Sequence, residues 1–261
     1  MKQIERLQYL VRYLMKEGAY ECKIPHEEGD LFALYRSLVN VRQVAPISEE
    51  FLKIQDEMLQ EEKNRKGIIN LPDTETLVLW KGDITRLHVD AIVNAANSQM
   101  EGCFIPGHSC IDNVIHTYAG IQLREECHAI MCKQGNPEPV GHAKITRGYN
   151  LPCSYILHTV GPMIQGALTR EDEASLASCY TSCLQLAEEY RLQTVAFCCI
   201  STGVFHFPRQ RAAEIAVQTV SEYLRSSSIR QVIFNVFLSE DELIYKQLLK
   251  QALPVKNNHI D

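Results

Sequence analysis

From about Asn70 to its end, the chain exchanges short β-rich runs with longer amphipathic stretches, an order that few folds accept. The runs TLVLW, DAIVN, AKITR, SYILHTV, TVAFCCI and QVIFNVF are rich in β-branched and aromatic residues and partly continuous in hydrophobicity, as buried strands are. Between them lie IDNVIHTYAGIQLREECHAIM, REDEASLASCYTSCLQLAEEY and PRQRAAEIAVQTVSEYLRS, each with helical periodicity, the last opening with Pro208 in a first turn. A final helix, SEDELIYKQLLKQA, has Ser239 placed to cap it and Glu242 in capping-box register. The pattern predicts an α/β fold, a sheet covered by helices on both faces. Ligands of such folds sit at the carboxyl ends of the strands, so the search for chemistry belongs there.

The first part of the chain has a different rhythm. Leu7, Leu10, Val11 and Leu14 recur at helical spacing up to Gly18. Asp30 is placed to cap a second helix carrying Leu31, Leu34, Tyr35 and Leu38. A third is expected from Ser48 to about Lys63, with Phe51, Leu52, Met58 and Leu59 inward, followed by EEKNRKG as a linker. The chain is thus read as a helical extension over 1–69 and an α/β domain over 70–261.

Composition narrows the functions. No apolar run reaches the ~18 residues that span a bilayer, and the charges within MKQIERLQYLVRYLMKEG argue against a secretory leader, so a cytoplasmic protein without a membrane partner is expected. Its ten cysteines are then read as thiols or metal ligands rather than a disulfide framework. A formal charge of −6 gives no basic footprint, so direct nucleic-acid binding is not expected and an anionic ligand must be met by local amide donors.

Three segments carry chemistry. In GCFIPGHSCIDN, Cys103, His108 and Cys110 stand in a C-x4-H-x-C spacing within a loop opened by Gly102, Pro106 and Gly107. Thiolate and imidazole suit zinc, and three local ligands leave a fourth position open. The competing reading is two packed thiols and a solvent histidine. Cys127, His128 and Cys132 on a helical segment, Cys179 with Cys183, and Cys198 with Cys199 are read mainly as packing residues, any of which could supply a remote ligand. In CISTGVFHFPRQRAAEI a strand runs through small Ser201, Thr202 and Gly203 into a helix N-terminus, which suits a phosphate or diphosphate. It lacks the lysine of a P-loop and the glycines of a dinucleotide fingerprint. In WKGDITRLHVDAIVNAANSQM, Asp83 at a strand end can accept from an exocyclic amine, and Asn94 and Asn97 can grip sugar hydroxyls, though turn-capping roles fit as well.

In their order and spacing, GDIT, VDAIVNAAN, CIDNVIHTYAG, HTVGP, ISTGVFHFP and NVFLSEDE resemble the macrodomain family over roughly Leu71 to Leu249. The C-x4-H-x-C where many macrodomains carry a glycine-rich loop, together with the helical extension, resembles the zinc-containing macrodomains of bacteria and fungi. The resemblance implies a three-layer α/β/α sandwich with a mixed central sheet, preceded by the N-terminal helices. It implies Asp83, Ile84 and Phe237 at an adenine, and Ser201, Thr202, Gly203, Val204 and Phe205 around a diphosphate and distal ribose. Asn97, Cys110, Ile111 and Asp112 then face the scissile end, with Asn97 and Asp112 catalytic and His116 nearby. Zn2+ on Cys103, His108 and Cys110 is the implied cofactor. Phe205–His206 replaces the family's aromatic-glycine pair, and the metal cluster replaces the first glycine-rich loop. Both departures move the chemistry towards the metal. The implied function is a hydrolase of glycosidase type that removes mono-ADP-ribose from proteins, with an ester to aspartate or glutamate as the expected linkage. A reader module that only binds ADP-ribose, an ADP-ribose 1″-phosphate phosphatase and a purely structural zinc are the alternatives.

Overall fold

All six β-rich runs become strands in the computed structural model, which describes residues 1–252. They are β1 (Leu77–Lys81), β2 (Ala91–Ala96), β3 (Ala143–Arg147), β4 (Tyr155–Val160), β5 (Thr194–Phe197) and β6 (Gln231–Val236), in the spatial order β1-β6-β5-β2-β4-β3. All neighbours are parallel except the edge strand β3, which is antiparallel to β4. The sheet is therefore mixed, and its interior strands are buried along nearly their whole length, as their continuous hydrophobicity requires.

The helices are α1 (Gln3–Glu17), α2 (Glu28–Val41), α3 (Glu49–Lys66), α4 (Ile111–Ala119), α5 (Ile121–Gln134), α6 (Arg170–Glu189), α7 (Arg209–Tyr223) and α8 (Ser239–Ala252). Strand alternation assigns them to layers. Ile92 is in register with Ala196, and Asn94 with His158; this face meets α4 and α5. Phe197 and Phe234, paired in register, point the other way onto Tyr180 of α6 and Tyr245 of α8, with ring centroids 4.9 and 5.2 Å apart. Helix α7 packs between α6 and α8. Helices α1–α3 form a second apolar cluster around Leu7, Leu10, Leu31, Tyr35, Phe51 and Met58, into which α5 inserts Ile121. Leu34 and Leu52, expected inward, are half-buried beside it, while Ile54 takes an inward place. Among the described residues no helix is long and apolar enough to cross a membrane.

Several boundaries differ from the sequence reading. Helix α2 begins at Glu28, so Asp30 lies in its first turn, and the capping position falls to Glu27 without a side-chain bond. Ser48 caps α3 as expected, its hydroxyl accepting from Phe51 N–H at 3.2 Å. The polar EEKNRK is not a linker: α3 continues through it to Lys66 and stops at Gly67, φ 78°. The stretch from Ile111 to Met131 is not one helix but two. Gly120, at φ 100° and ψ 168°, breaks it, and the side chains of Gln122, Gln55 and Asn150 crowd the place a Cβ would take. Pro208 stands just before α7 rather than within it. Ser239 is the first residue of α8, not its cap; Glu242 N–H donates to Leu238 O, and the Ser239 hydroxyl takes a bond from Lys81 Nζ at 2.7 Å.

Candidate active site

Because β1, β6, β5, β2 and β4 run parallel, their carboxyl ends open onto one edge of the sheet. That edge collects Gly82–Asp83 after β1, Asn97 after β2, Gly161 after β4, the Cys198–Phe207 segment after β5 and Phe237 after β6. The sequence scatters these residues over much of the chain; the parallel sheet brings them together.

At the centre lies Asp112, buried in the first turn of α4. Asn94 Nδ2 donates to its Oδ1 at 2.8 Å and Asn97 Nδ2 to its Oδ2 at 3.2 Å. Burial pushes this carboxyl up to about 6, against the Asn94 bond, the Arg124 charge and the Asn97 bond, which favour the carboxylate. Asn94 is not open to a sugar, as its type suggested. It is fully buried and also directs Nδ2 at His158 Nδ1, 3.1 Å away. His158 Nε2 lies 2.9 Å from Thr146 Oγ1, so the ring is held as a neutral imidazole, its pKa lowered by burial to about 3. His116, one turn beyond Asp112, is held well below its ordinary pKa by burial first, then by His158 and Arg124. Its ring nitrogens have no hydrogen-bond partner among the described residues, and its ring packs so close to Gly102 that a Cβ there would lie 2.8 Å from it.

Above Asp112 the loop from Glu101 to Cys110 carries the three proposed ligands. Their donor atoms lie within 4.8 Å of one another, with Cys103 Sγ 3.7 Å from His108 Nδ1. Gly102 and Gly107, at φ 82° and 63°, allow the turns that fold the loop back. Cys110 caps α4, its sulfur accepting from Asn113 N–H at 3.5 Å. Burial first, against the Asn113 N–H bond, and then the Cys103 and Asp112 charges push the Cys110 thiol up to about 12, a setting that a bound cation reverses. Two sulfurs and one imidazole are a zinc donor set, and among the described residues no fourth thiol, imidazole or carboxylate joins them. Cys103, His108 and Cys110 fit the donors that would hold a zinc ion.

The other cysteine groups divide. Cys127 is buried, 3.9 Å from His158 Nε2, and forms with His116 and His158 a second convergence of nitrogen and sulfur atoms. His128 and Cys132 face outward together, Nε2 to Sγ 3.3 Å, and His128 Nδ1 meets Glu101 at 2.7 Å. Cys179, Cys183 and Cys198 are core thiols, as read, and Cys199 is half-buried.

The segment after β5 is a strained turn. Ser201 and His206 adopt φ 63° and 57°, closed by Phe207 N–H to Ser201 O at 3.0 Å. Among the described residues the N–H groups of Gly203, Val204 and Phe205 find no acceptor, so they are free to donate to an anion. Gly161 lets Ser201 approach: a Cβ there would lie 2.1 Å from Ser201 Oγ. Phe237 is 74% exposed at the same edge. Ile84 is buried, leaving only its backbone for a ligand. Burial pushes Asp83 up, but Lys66 and Thr85 outweigh it and hold the carboxyl below its usual range. Thr85 N–H and Oγ1 donate to its Oδ1 at 3.0 and 2.6 Å, and Lys66 Nζ pairs with Oδ2 at 2.5 Å. Lys66, Arg36, Asn40, Arg124 and His158 were not singled out from sequence. Only His158, a polar residue inside an apolar strand run, left a trace there.

A profile described as the Macro domain matches residues 93–216. The chain is 51% identical over 260 residues to a Treponema medium protein named protein-ADP-ribose hydrolase, covering 95% of this chain and 100% of that one. A Staphylococcus aureus (strain MSSA476) protein of the same name is 49% identical, covering 93% of this chain and 94% of its own length. Among solved structures, an Oceanobacillus iheyensis macrodomain with ADP is similar at a TM-score of 0.63 and 34% identity, over 69% of this chain and 94% of that one.

Proposed function

The chain belongs to the macrodomain family, and we propose that it is a zinc-dependent hydrolase that releases mono-ADP-ribose from modified aspartate or glutamate side chains. The observation that carries this reading is the Asp112 carboxylate, bridged by Asn94 and Asn97, beneath the Cys103–His108–Cys110 loop. Names shared with relatives at about half identity over nearly the whole chain support the reaction class.

In this reading Asp83, the Ile84 backbone and Phe237 receive the adenine, and Ser201, Thr202, Gly203, Val204 and Phe205 wrap the diphosphate. Asn97, Cys110, Ile111 and Asp112 then meet the distal ribose. The bond between the anomeric carbon and the acyl oxygen breaks, its electron pair leaving with the side-chain carboxylate. Water supplies the hydroxyl that replaces it, and its proton passes to solvent. Asp112 holds that water or stabilises the positive charge on the anomeric carbon; a carboxylate fixed by two amides needs no reorganisation to do so. His116 and His158 are neutral, so no imidazolium stands ready to protonate a leaving group. A carboxylate leaves without that help and a guanidine does not, which favours the ester linkage. Cys103, His108 and Cys110 would hold the zinc, which when bound supplies Lewis acidity at the ribose end.

The test is incubation of a protein bearing aspartate- or glutamate-linked ADP-ribose with the purified enzyme, the chelated enzyme and the chelated enzyme resupplied with zinc. Release of intact ADP-ribose that disappears with chelation and returns with zinc is expected. Binding without release would make the protein a reader, and inorganic phosphate release from ADP-ribose 1″-phosphate would make it a phosphatase.

A further inference from the structure

Building on the zinc assignment, we infer that α2 of the N-terminal extension is the scaffold of the metal loop, with Arg36 and Asn40 as positioning residues for the ligands. The loop itself offers little to fix them. Between Glu101 and Cys110 its internal backbone bond is His108 N–H to Ile105 O at 3.2 Å, and its glycines add freedom.

Its order comes from outside. Arg36 Nη2 donates to His108 O at 2.6 Å, and the same guanidinium straddles Asn113 Oδ1 with Nε at 3.2 Å and Nη2 at 2.9 Å. Asn113 relays the grip, its Nδ2 donating to Ile105 O at 2.9 Å and Cys103 O at 3.4 Å. One turn along α2, Asn40 Oδ1 accepts from Gly107 N–H at 2.9 Å, and its Nδ2 donates to Thr117 Oγ1 at 3.1 Å. Thr117 in turn donates to Asn113 O at 2.8 Å. Asn40, Asn113 and Thr117 are almost wholly buried, where hydrogen bonds are strong and their loss is costly.

The bonds fall on the backbone of two ligand residues, Cys103 and His108, and of Ile105 and Gly107 between them; the third, Cys110, is anchored by the start of α4. Packing of one layer on another does not require this. The polar contacts of α3 with the α/β domain, among them Gln55 to Gln122, Asp56 and Gln60 to Asn150, and Lys66 to Asp83, avoid the metal loop altogether. A loop ordered in advance loses less entropy when the ion arrives, and its ligands stay in place when the ion begins to leave.

The test follows zinc rather than turnover. The full chain and its Arg36→Ala, Arg36→Lys and Asn40→Ala variants are loaded with zinc, checked for folding by circular dichroism, and mixed with a chromophoric chelator. Arg36→Ala and Asn40→Ala should transfer zinc about 10- to 100-fold faster than the parent, the loss of affinity usual when a group that supports a ligand is removed being carried here by the rate of release. Arg36→Lys, which keeps the charge and loses the fork, should fall between. Arg6→Ala, which breaks the pairs of α1 with Glu57 and Glu61 away from the loop, serves as control. A folded Arg36→Ala that transfers zinc at the parent rate would overturn the inference, as would an Arg6→Ala that accelerates transfer as much. A parent chain that carries no zinc would instead overturn the assignment on which it rests.

Discussion

Asp112 shows how much of this site is settled one side chain at a time. Its oxygens accept from different asparagines, one after β2 and one within it, so its orientation is fixed before a ligand arrives. Asp112→Asn should lower turnover by about 10²–10³-fold, the range for removing one preorganised electrostatic stabiliser, while the dissociation constant for ADP-ribose changes much less. Single-turnover release and calorimetry on the same variant separate the two. His158 makes a different prediction. Its folded pKa, near 3, lies below the value near 6.5 of an unfolded histidine. The unfolded chain therefore binds the extra proton first, so this contribution to stability is full above about pH 6.5 and falls as pH drops towards 3. The slope from one such group is at most about 1.4 kcal/mol per pH unit, and the neutral His116 adds in the same direction. Urea midpoints measured between pH 7.5 and 4.5 should decline for the parent and decline less steeply for His158→Gln; parallel curves would remove His158 from the account.

At the scale of elements, Gly120 decides where α4 ends and α5 begins. Its φ of 100° and ψ of 168° belong to a region that only glycine occupies freely, and three side chains fill the space beside it. Gly120→Ala should cost at least about 1–3 kcal/mol, read from the denaturant midpoint. This break was invisible in sequence because Ala119–Gly120–Ile121 sits in an unbroken helical periodicity, and one glycine does not end a helix without a tertiary cause. The strands were legible because burial on both faces writes itself as apolar runs. The extension of α3 to Lys66 was not, since a polar, charged run reads as a linker until it is known that Glu62 is buried against Gln3 and that Lys66 reaches Asp83. The candidate residues after β1, β2, β5 and β6 were found through their motifs and come together at one edge. Asn94 reads as a grip on sugar hydroxyls or a support of its loop, and neither reading foresees its bond to the buried Asp112, because an asparagine's type does not tell which way it points. Arg36 and Asn40 escaped notice because a helical arginine and asparagine look like any solvated face until the loop they hold has been folded against them.

For the whole molecule, the residues proposed to receive the adenine, Asp83 and Phe237, and those proposed to hold zinc, Cys103, His108 and Cys110, lie on different segments of the chain. Removing zinc should therefore lower turnover by more than it weakens ADP-ribose binding, and it should leave the sheet intact. Titration calorimetry and turnover on the chelated full chain, with circular dichroism as a check on folding, measure this. Loss of both functions together in a folded protein would mean that the metal shapes the whole pocket. The extension reaches both ends, through Lys66 at Asp83 and through Arg36 at His108. This has a consequence for how such a centre is inherited. Cys103, His108 and Cys110 form a short, portable string of letters, easily copied into another macrodomain by a single insertion. The copied segment would arrive without the helix that holds its backbone, as a loop with ligands and no cradle. On the inference that α2 holds the metal loop, the smallest unit that would pass on with its chemistry intact is the loop together with that helix, so the two should be gained, kept and lost as one.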